Sequence, residues 1–168
     1  PYPSMKCILQ SFLTDFLVQT NNQALINEYE MHPFIAPVLD KRRTLTEKLV
    51  SILRCSLAVN PIQELTAKIR HFYDLHYLLQ DEECKAYLHS QSFYEDFSSL
   101  FKHDQLNFEK PDGWQNKSYT DSPLLSDFHL LWESLQNIYL RELPDLAYQE
   151  IASAPEIEVS IQKILKMI

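Results

Sequence analysis

Apolar residues recur every three or four positions along most of this chain, a spacing that places them on one face of an α-helix. The pattern predicts helices over residues 4–19, 21–29, 44–57, 61–79, 81–90, 92–102, 126–143 and 156–168. One stretch differs, because prolines bracket the β-favouring residues of HPFIAPVLD. We therefore expect a short strand or hairpin near residues 33–39, at a sheet edge. A long loop is expected over residues 107–123, where turn-forming residues gather.

Two helices that adjoin in sequence are of particular interest. The sequence TLTE has the spacing of a capping box, so the first of them is predicted to begin at Thr44. Lys48 lies on the border of its apolar face, where the stem can pack while the ammonium group reaches outward. The connection between the two helices, at Asn60 and Pro61, is short, which makes them antiparallel neighbours. Lys48 and Asp74 should therefore face a common surface.

Glycine is nearly absent, since Gly113 is the only one among 168 residues. Phosphate-binding loops and dinucleotide-binding turns need several glycines, so both kinds of site are excluded. Tight hairpins also favour glycine, which argues against a sheet-rich fold. The 45% of hydrophobic residues is enough for one core. The expected fold class is therefore mainly α, as a single mostly helical domain over residues 1–168.

The cysteines and the longest apolar runs bear on location. Cys7, Cys55 and Cys84 are odd in number and widely separated, which suggests neither a disulfide framework nor a zinc site. Reduced, mostly buried thiols are typical of a cytoplasmic protein. A membrane-spanning helix needs about 18 consecutive apolar residues, and the sequence contains no such run. We therefore expect a cytoplasmic protein without a membrane partner.

Positive charge is concentrated in one part of an acidic chain. Residues 41–76 contain seven lysines and arginines against three acids, a net charge of +4, whereas the whole chain carries −8. The remainder therefore carries −12. Such a basic island is a candidate site for an anionic ligand. Chance clustering of solvated surface charge is the alternative, and composition does not decide between them.

The segment KIRHFYDLHYLL, residues 68–79, places Arg70, His71, Asp74 and His76 in a helix that is apolar on nearly every side and therefore expected to be buried. A buried charge costs several kcal/mol unless it is paired. In one interpretation Arg70 and Asp74, which are one turn apart, form an internal ion pair and the histidines are satisfied polar groups. Alternatively, the carboxylate is held for chemistry or binding. Both interpretations are compatible with the sequence.

The residues themselves resemble a known family. The string PFIAPVLDKRRTLTEKLVSILR, followed by NPIQELTAKIRHFYDLHYLLQDEE, resembles the C-terminal part of the AbiEii nucleotidyltransferase toxin family. The most specific parts are RRTLTEKL and KIRHFYDL, in that order and spacing. The resemblance implies a polymerase-β-type nucleotidyltransferase fold followed by a helical C-terminal region. It also implies a toxin of bacterial toxin–antitoxin and abortive-infection systems, whose relatives add nucleotides to tRNA ends.

The resemblance assigns roles to particular residues. Lys48 of RRTLTEKL would contact nucleotide phosphates, and Asp74 of KIRHFYDL would be a carboxylate near the catalytic centre with Arg70 beside it. The remaining candidates for substrate binding are Arg42, Arg43 and His71. Many relatives carry an acid at the position of His71. The resemblance therefore leaves open which carboxylate has the role near the catalytic centre.

Two features indicate a partial enzyme. The chain begins at Pro1, and the glycine-serine motif of the family and its following pair of metal-binding aspartates are absent. Two-metal phosphoryl transfer needs closely placed carboxylates to hold Mg²⁺. We therefore expect the C-terminal nucleotide- and substrate-binding half, inactive and without a cofactor by itself. Most Mg²⁺ ligands would lie elsewhere in the full-length protein.

The expected partners of the full-length protein are an NTP, a tRNA-like RNA acceptor and a cognate antitoxin. A different class of function is also open, namely a non-catalytic helical module that binds RNA or protein through residues 41–76. A third is a plain interaction or scaffold domain, whose aromatic residues would simply form a core.

Overall fold

The computed structural model describes residues 4–147 and 150–168. As the sequence predicts, the fold is mainly α, and the described residues form one two-stranded sheet. The strands and helices are β1 (Ser4–Leu9), α1 (Phe12–Gln19), α2 (Gln23–Glu28), β2 (Phe34–Leu39), α3 (Lys41–Ser56), α4 (Pro61–Thr66), α5 (Ile69–Leu78), α6 (Glu82–Leu88), α7 (Gln91–Asn107), α8 (Pro123–Ser126), α9 (Phe128–Glu142) and α10 (Ala154–Leu165). Among these residues no helix combines the length and apolarity needed to cross a membrane.

The chain divides into two compact units, and the first ends at Asp40. In this unit β1 pairs antiparallel with β2, from Ser4 opposite Leu39 to Leu9 opposite Phe34. The strand expected near residues 33–39 is therefore confirmed. Pro37 is tolerated within it because a two-stranded sheet has only edge strands.

The prediction of one helix over residues 4–19 is wrong in its first half, which forms β1. Met5, Cys7 and Leu9 alternate with other residues, so the same apolar run also fits the two-residue period of a strand. Pairing with β2, about 30 residues later, decides between the two periods. The helix begins only at Phe12, where the Ser11 side chain accepts a hydrogen bond from the Thr14 backbone N–H.

The second unit begins at Lys41 and is built around α3. This helix packs against α4, α5, α6, α7 and α8. Its core residues Leu45, Leu49 and Ile52 have no solvent exposure. The helix begins at Lys41, three residues before the predicted Thr44. Asp40 immediately precedes it, and aspartate is among the residues that most favour a helix start.

The predicted helix over residues 61–79 is two helices, α4 and α5, separated at Ala67 and Lys68. Lys68 has a non-helical backbone, with φ −115° and ψ 17°. Hydrogen bonds that span three residues, as in a 3₁₀-helix, replace the four-residue bonds of the α-helix there. They run from Lys68 N to the Leu65 carbonyl and from His71 N to the Lys68 carbonyl. The break gives α5 an N-terminus of its own beside the basic residues.

The long loop between α7 and α8 carries a buried tryptophan. Trp114 has no solvent exposure, and its Nε1–H donates to the Phe108 carbonyl over 3.1 Å. Gly113 has φ +86°, a conformation that other residues adopt at a cost. A Cβ atom at this position would also lie 2.9 Å from a Val59 methyl group. The single glycine of the chain thus serves loop geometry.

Candidate functional site

An ion pair between α3 and α5 joins the two residues expected to share a surface. Lys48 Nζ lies 2.6 Å from Asp74 Oδ2, and the side chains are 22% and 30% exposed. This confirms the common surface. The pair is only partly buried, so an incoming anion can reach the ammonium group.

The expected ion pair between Arg70 and Asp74 is not formed. Asp74 is paired with Lys48 from the neighbouring helix, and Arg70 is exposed. Within residues 4–147 and 150–168, no carboxylate lies within ion-pair distance of Arg70. An arginine that precedes an aspartate by one turn gains only a few tenths of a kcal/mol from pairing, so hydration of the guanidinium group competes well. The expectation that α5 is buried on nearly every side is wrong at Arg70.

His71 lies beside this pair with an unusual environment. Its Nδ1 atom is enclosed and has no hydrogen-bond partner. Burial, reinforced by the positive charges of Lys48 and Lys68 and opposed by Asp74, lowers the pKa of His71 to about 4. The ring is therefore neutral near pH 7. An enclosed acceptor costs less than an enclosed donor, which favours the tautomer with the proton on Nε2.

His76 is a satisfied polar group, as the structural interpretation of the segment proposed. Its Nε2 lies 2.8 Å from Gln80 Nε2, which can only donate, and its Nδ1 lies 2.8 Å from Ser160 Oγ. Nδ1 therefore carries the proton and donates to the serine hydroxyl. His76 thus connects α5 to α10 and has no free nitrogen for a ligand.

Much of the basic island is neutralised by acids from the same helix or from outside the island. Arg43 Nε lies 2.8 Å from Glu47 Oε1 one turn later, and Arg54 pairs with Asp104 over 2.9 Å. Lys41 Nζ lies 2.7 Å from Asp81 Oδ2 and 3.0 Å from Glu83 Oε2. The charge count of residues 41–76 therefore overstates the positive field that a ligand would meet.

Arg42 lies on a different side of α3 from Lys48. Its carbonyl accepts from Thr46 Oγ1 over 3.0 Å, and Thr46 in turn contacts the Tyr87 hydroxyl at 3.1 Å. Burial raises the pKa of Tyr87 to about 12, against the opposing charge of the Arg42 guanidinium. The structure therefore brings together Lys48, Asp74 and His71 but gives Arg42 and Arg43 other neighbours.

Residues 6–161 match the family model described as Nucleotidyl transferase AbiEii toxin, Type IV TA system. The chain belongs to this AbiEii family. No match was found among curated proteins or among solved structures. AbiEii membership makes the general class a nucleotidyl transferase toxin of a toxin–antitoxin system, which suggests a nucleotide substrate and a cognate antitoxin.

Nucleotidyltransferases such as the AbiEii proteins generally use a divalent metal ion. Among the residues that the structure describes, no three His, Cys, Asp or Glu side chains are grouped closely enough to hold one. Asp74 already holds the Lys48 ammonium group through Oδ2, and Mg²⁺ prefers carboxylates that are close together and unpaired. The side chains of this site do not fit Mg²⁺.

Lys68 also lies near Lys48, Asp74 and His71, although the sequence pattern did not single it out. It is partly exposed, immediately precedes α5 and is close enough for its charge to lower the pKa of His71. No ion pair to Lys68 occurs in the described ranges. The missing signal was the break between α4 and α5, since a continuous helix over residues 61–79 would make Lys68 an ordinary surface residue.

Proposed function

We propose that Lys48, Asp74 and His71 form the nucleotide-phosphate site of an AbiEii-type toxin that transfers nucleotides from an NTP to a tRNA-like RNA. In this proposal the chain is the C-terminal substrate-binding half of the enzyme. Carboxylates elsewhere in the full-length protein would hold Mg²⁺, since the side chains here do not fit it. The observation that carries the proposal is the partly exposed Lys48–Asp74 ion pair between α3 and α5.

The charges around the pair support binding of a polyphosphate. Three positive charges lie near His71, on Lys48, Lys68 and Arg70. Asp74 contributes one negative charge, so the local net charge is +2. Lys48 has three N–H donors and uses one on Asp74, so the others can reach phosphate oxygens. Lysine commonly binds phosphate as a point charge in this manner.

His71 and Asp74 complement these cations. A neutral His71 with its proton on Nε2 offers a hydrogen-bond donor to a phosphate oxygen. Asp74 fixes the position of the Lys48 ammonium group before the nucleotide arrives, which lowers the entropic cost of binding. Lys48 is held on Asp74 Oδ2, so in this proposal Oδ1 of the same carboxylate accepts a proton from the attacking hydroxyl group of the RNA.

The proposal predicts that Lys48→Ala in the full-length protein strongly slows transfer without unfolding the protein. We expect the rate of transfer from labelled NTP to tRNA to fall by about a hundredfold, since a cation on the transferring phosphates is worth about 3 kcal/mol. The matched control is Lys41→Ala. It removes another partly exposed lysine from the same helix, whose ammonium group lies 2.7 Å from the Asp81 carboxylate. The control should transfer at the wild-type rate.

A folded Lys48→Ala protein that transfers nucleotides at the wild-type rate would contradict the phosphate role. If both lysine variants lose transfer equally, α3 acts through its general charge. If the wild-type full-length protein binds RNA but transfers nothing, the chain is the non-catalytic binding module that the basic island also suggests. One assay that measures both the transfer of label to RNA and the binding of RNA distinguishes these three results.

A further inference from the structure

A cavity with a mainly apolar lining and a few polar side chains lies in the same unit as the ion pair, between α7 and the end of the loop that follows it. Its volume is about 210 Å³, which suits a small group rather than a whole nucleotide. It is lined by Ser98, Phe101, Lys102, Gln105, Lys117, Ser118 and Tyr119. The proposed nucleotide site contains none of these residues.

The loop wall of the cavity is fixed by hydrogen bonds from side chains. Gln105 Nε2 donates to the carbonyls of Gln115 and Lys117 over 3.0 and 2.9 Å. Lys117 Nζ donates to the Leu57 carbonyl over 2.7 Å, just beyond α3. These bonds hold the Lys117 ammonium group in place before any ligand arrives. It retains two further N–H donors.

Aromatic packing fixes the same wall from behind. The Tyr119 ring meets the rings of Phe97 and Phe101 edge to face, with centroids 5.2 and 5.9 Å apart. Ser118 Oγ accepts hydrogen bonds from the backbone N–H and the hydroxyl group of Thr120. The Ser118 proton therefore remains available to a ligand oxygen.

The charged side chains of the lining are both positive. Neither Lys102 nor Lys117 pairs with a carboxylate in the part of the chain that the structure describes, and the lining contains no acid. Lys110 of the same loop does pair, with Asp112 at 2.7 Å. Two acids adjoin the lining along the chain and both are engaged: Asp104 pairs with Arg54 over 2.9 Å, and Asp121 Oδ2 accepts from the Ser118 backbone N–H.

We infer that this cavity binds a terminal phosphate group. Lys117 supplies a positioned cation and Ser118 a hydroxyl donor, while exposed Lys102 is free to close over the anion. Such charge-assisted hydrogen bonds are the strong ones in phosphate recognition. The group can belong to a free nucleotide or to the 5′ end of an RNA. This site is independent of the Lys48 site and of the proposed transfer reaction.

The test follows the backbone amide NMR signals of residues 117–119 in the full chain as inorganic phosphate is added at constant ionic strength. We expect saturable shifts in the wild type and about tenfold weaker binding in Lys102→Ala, because one charge-assisted contact is lost. Lys110→Ala, which changes an exposed lysine outside the cavity, should bind as the wild type does. Lys48→Ala should also bind normally, so failure of one site is distinguishable from failure of the other.

Three further titrations identify the source of the phosphate. AMP and a short RNA with a 5′ phosphate are compared with the same RNA without it, and shifts that require the terminal phosphate support the inference. Absence of saturable shifts with all of these probes would overturn it. Equal weakening in Lys102→Ala and Lys110→Ala would also overturn it, because the effect would then reflect general charge.

Discussion

Two of the ion pairs that involve α3 differ in their surroundings. Arg54 and Asp104 have side chains only 15% and 11% exposed, whereas those of Lys48 and Asp74 are 22% and 30% exposed. The Arg54 guanidinium carbon also lies 4.6 Å from the centre of the Phe108 ring. One pair is enclosed by a loop, and the other is accessible from outside.

The enclosed pair has a structural function. Arg54 connects α3 to α7 through Asp104, and its guanidinium carbon lies 5.6 Å from the Trp114 ring of the intervening loop. Arg54 Nε is buried without a hydrogen-bond partner, so the arginine already has an incomplete set of bonds. Losing Asp104 would leave a buried charge uncompensated. Burial of a pair, rather than its presence, therefore indicates whether it stabilises the fold.

The largest stability effect is expected at the enclosed pair. Asp104→Asn should lower the free energy of unfolding by about 3 kcal/mol, because it leaves the mostly enclosed Arg54 side chain without a counter-charge. Urea unfolding followed by circular dichroism measures the change. The control is Asp112→Asn, which alters an exposed pair with Lys110 in the adjoining loop and should have no measurable effect. Equal stability of the Asp104 and Asp112 variants would remove the distinction between the two kinds of pair.

A smaller effect on stability is expected from pH at the accessible pair. The pKa of His71 is about 4 in the folded protein, below its ordinary 6.5. Between these values the unfolded chain binds a proton that the folded chain does not, so stability is full above about pH 6.5 and falls as the pH falls towards 4. His71→Gln should remove about 1–2 kcal/mol of this loss, after allowance for partial exposure of the ring.

The measurement is the difference in unfolding free energy between wild type and His71→Gln at a series of pH values. Subtraction is needed because burial also lowers the pKa of His76, while the hydrogen bond with Glu158 raises that of His129. A difference that stays constant from pH 7 to pH 4 would show that His71 titrates normally in the folded chain.

The local parts of this architecture could be predicted from sequence. Periodicity gave α3 with Lys48 at the edge of its apolar face, and the short connection at Asn60 and Pro61 placed Asp74 nearby. Contacts between distant segments could not be predicted. An apolar run near the start fits helix and strand equally well, and only pairing with β2 decides for β1.

The candidate site was likewise predictable only in its local parts. Its two central residues meet, but the partner of Asp74 is Lys48 from another helix and not Arg70 from its own. The basic island was overestimated because some of its counter-charges come from later helices. Asp81 and Asp104 neutralise Lys41 and Arg54, and nothing in residues 41–76 indicates this. Roles of individual residues in transfer remain predictions.

The most direct test of the central claim replaces the carboxylate of the accessible pair. Asp74→Asn in the full-length protein should leave the free energy of unfolding within about 1 kcal/mol of wild type, because a partly exposed pair contributes little stability. Nucleotide transfer to RNA, measured on the same preparation, should fall by about tenfold or more, as expected for loss of a proton acceptor. The opposite result, a strongly destabilised variant whose folded fraction transfers at the wild-type rate, would make Lys48–Asp74 a structural pair like Arg54–Asp104.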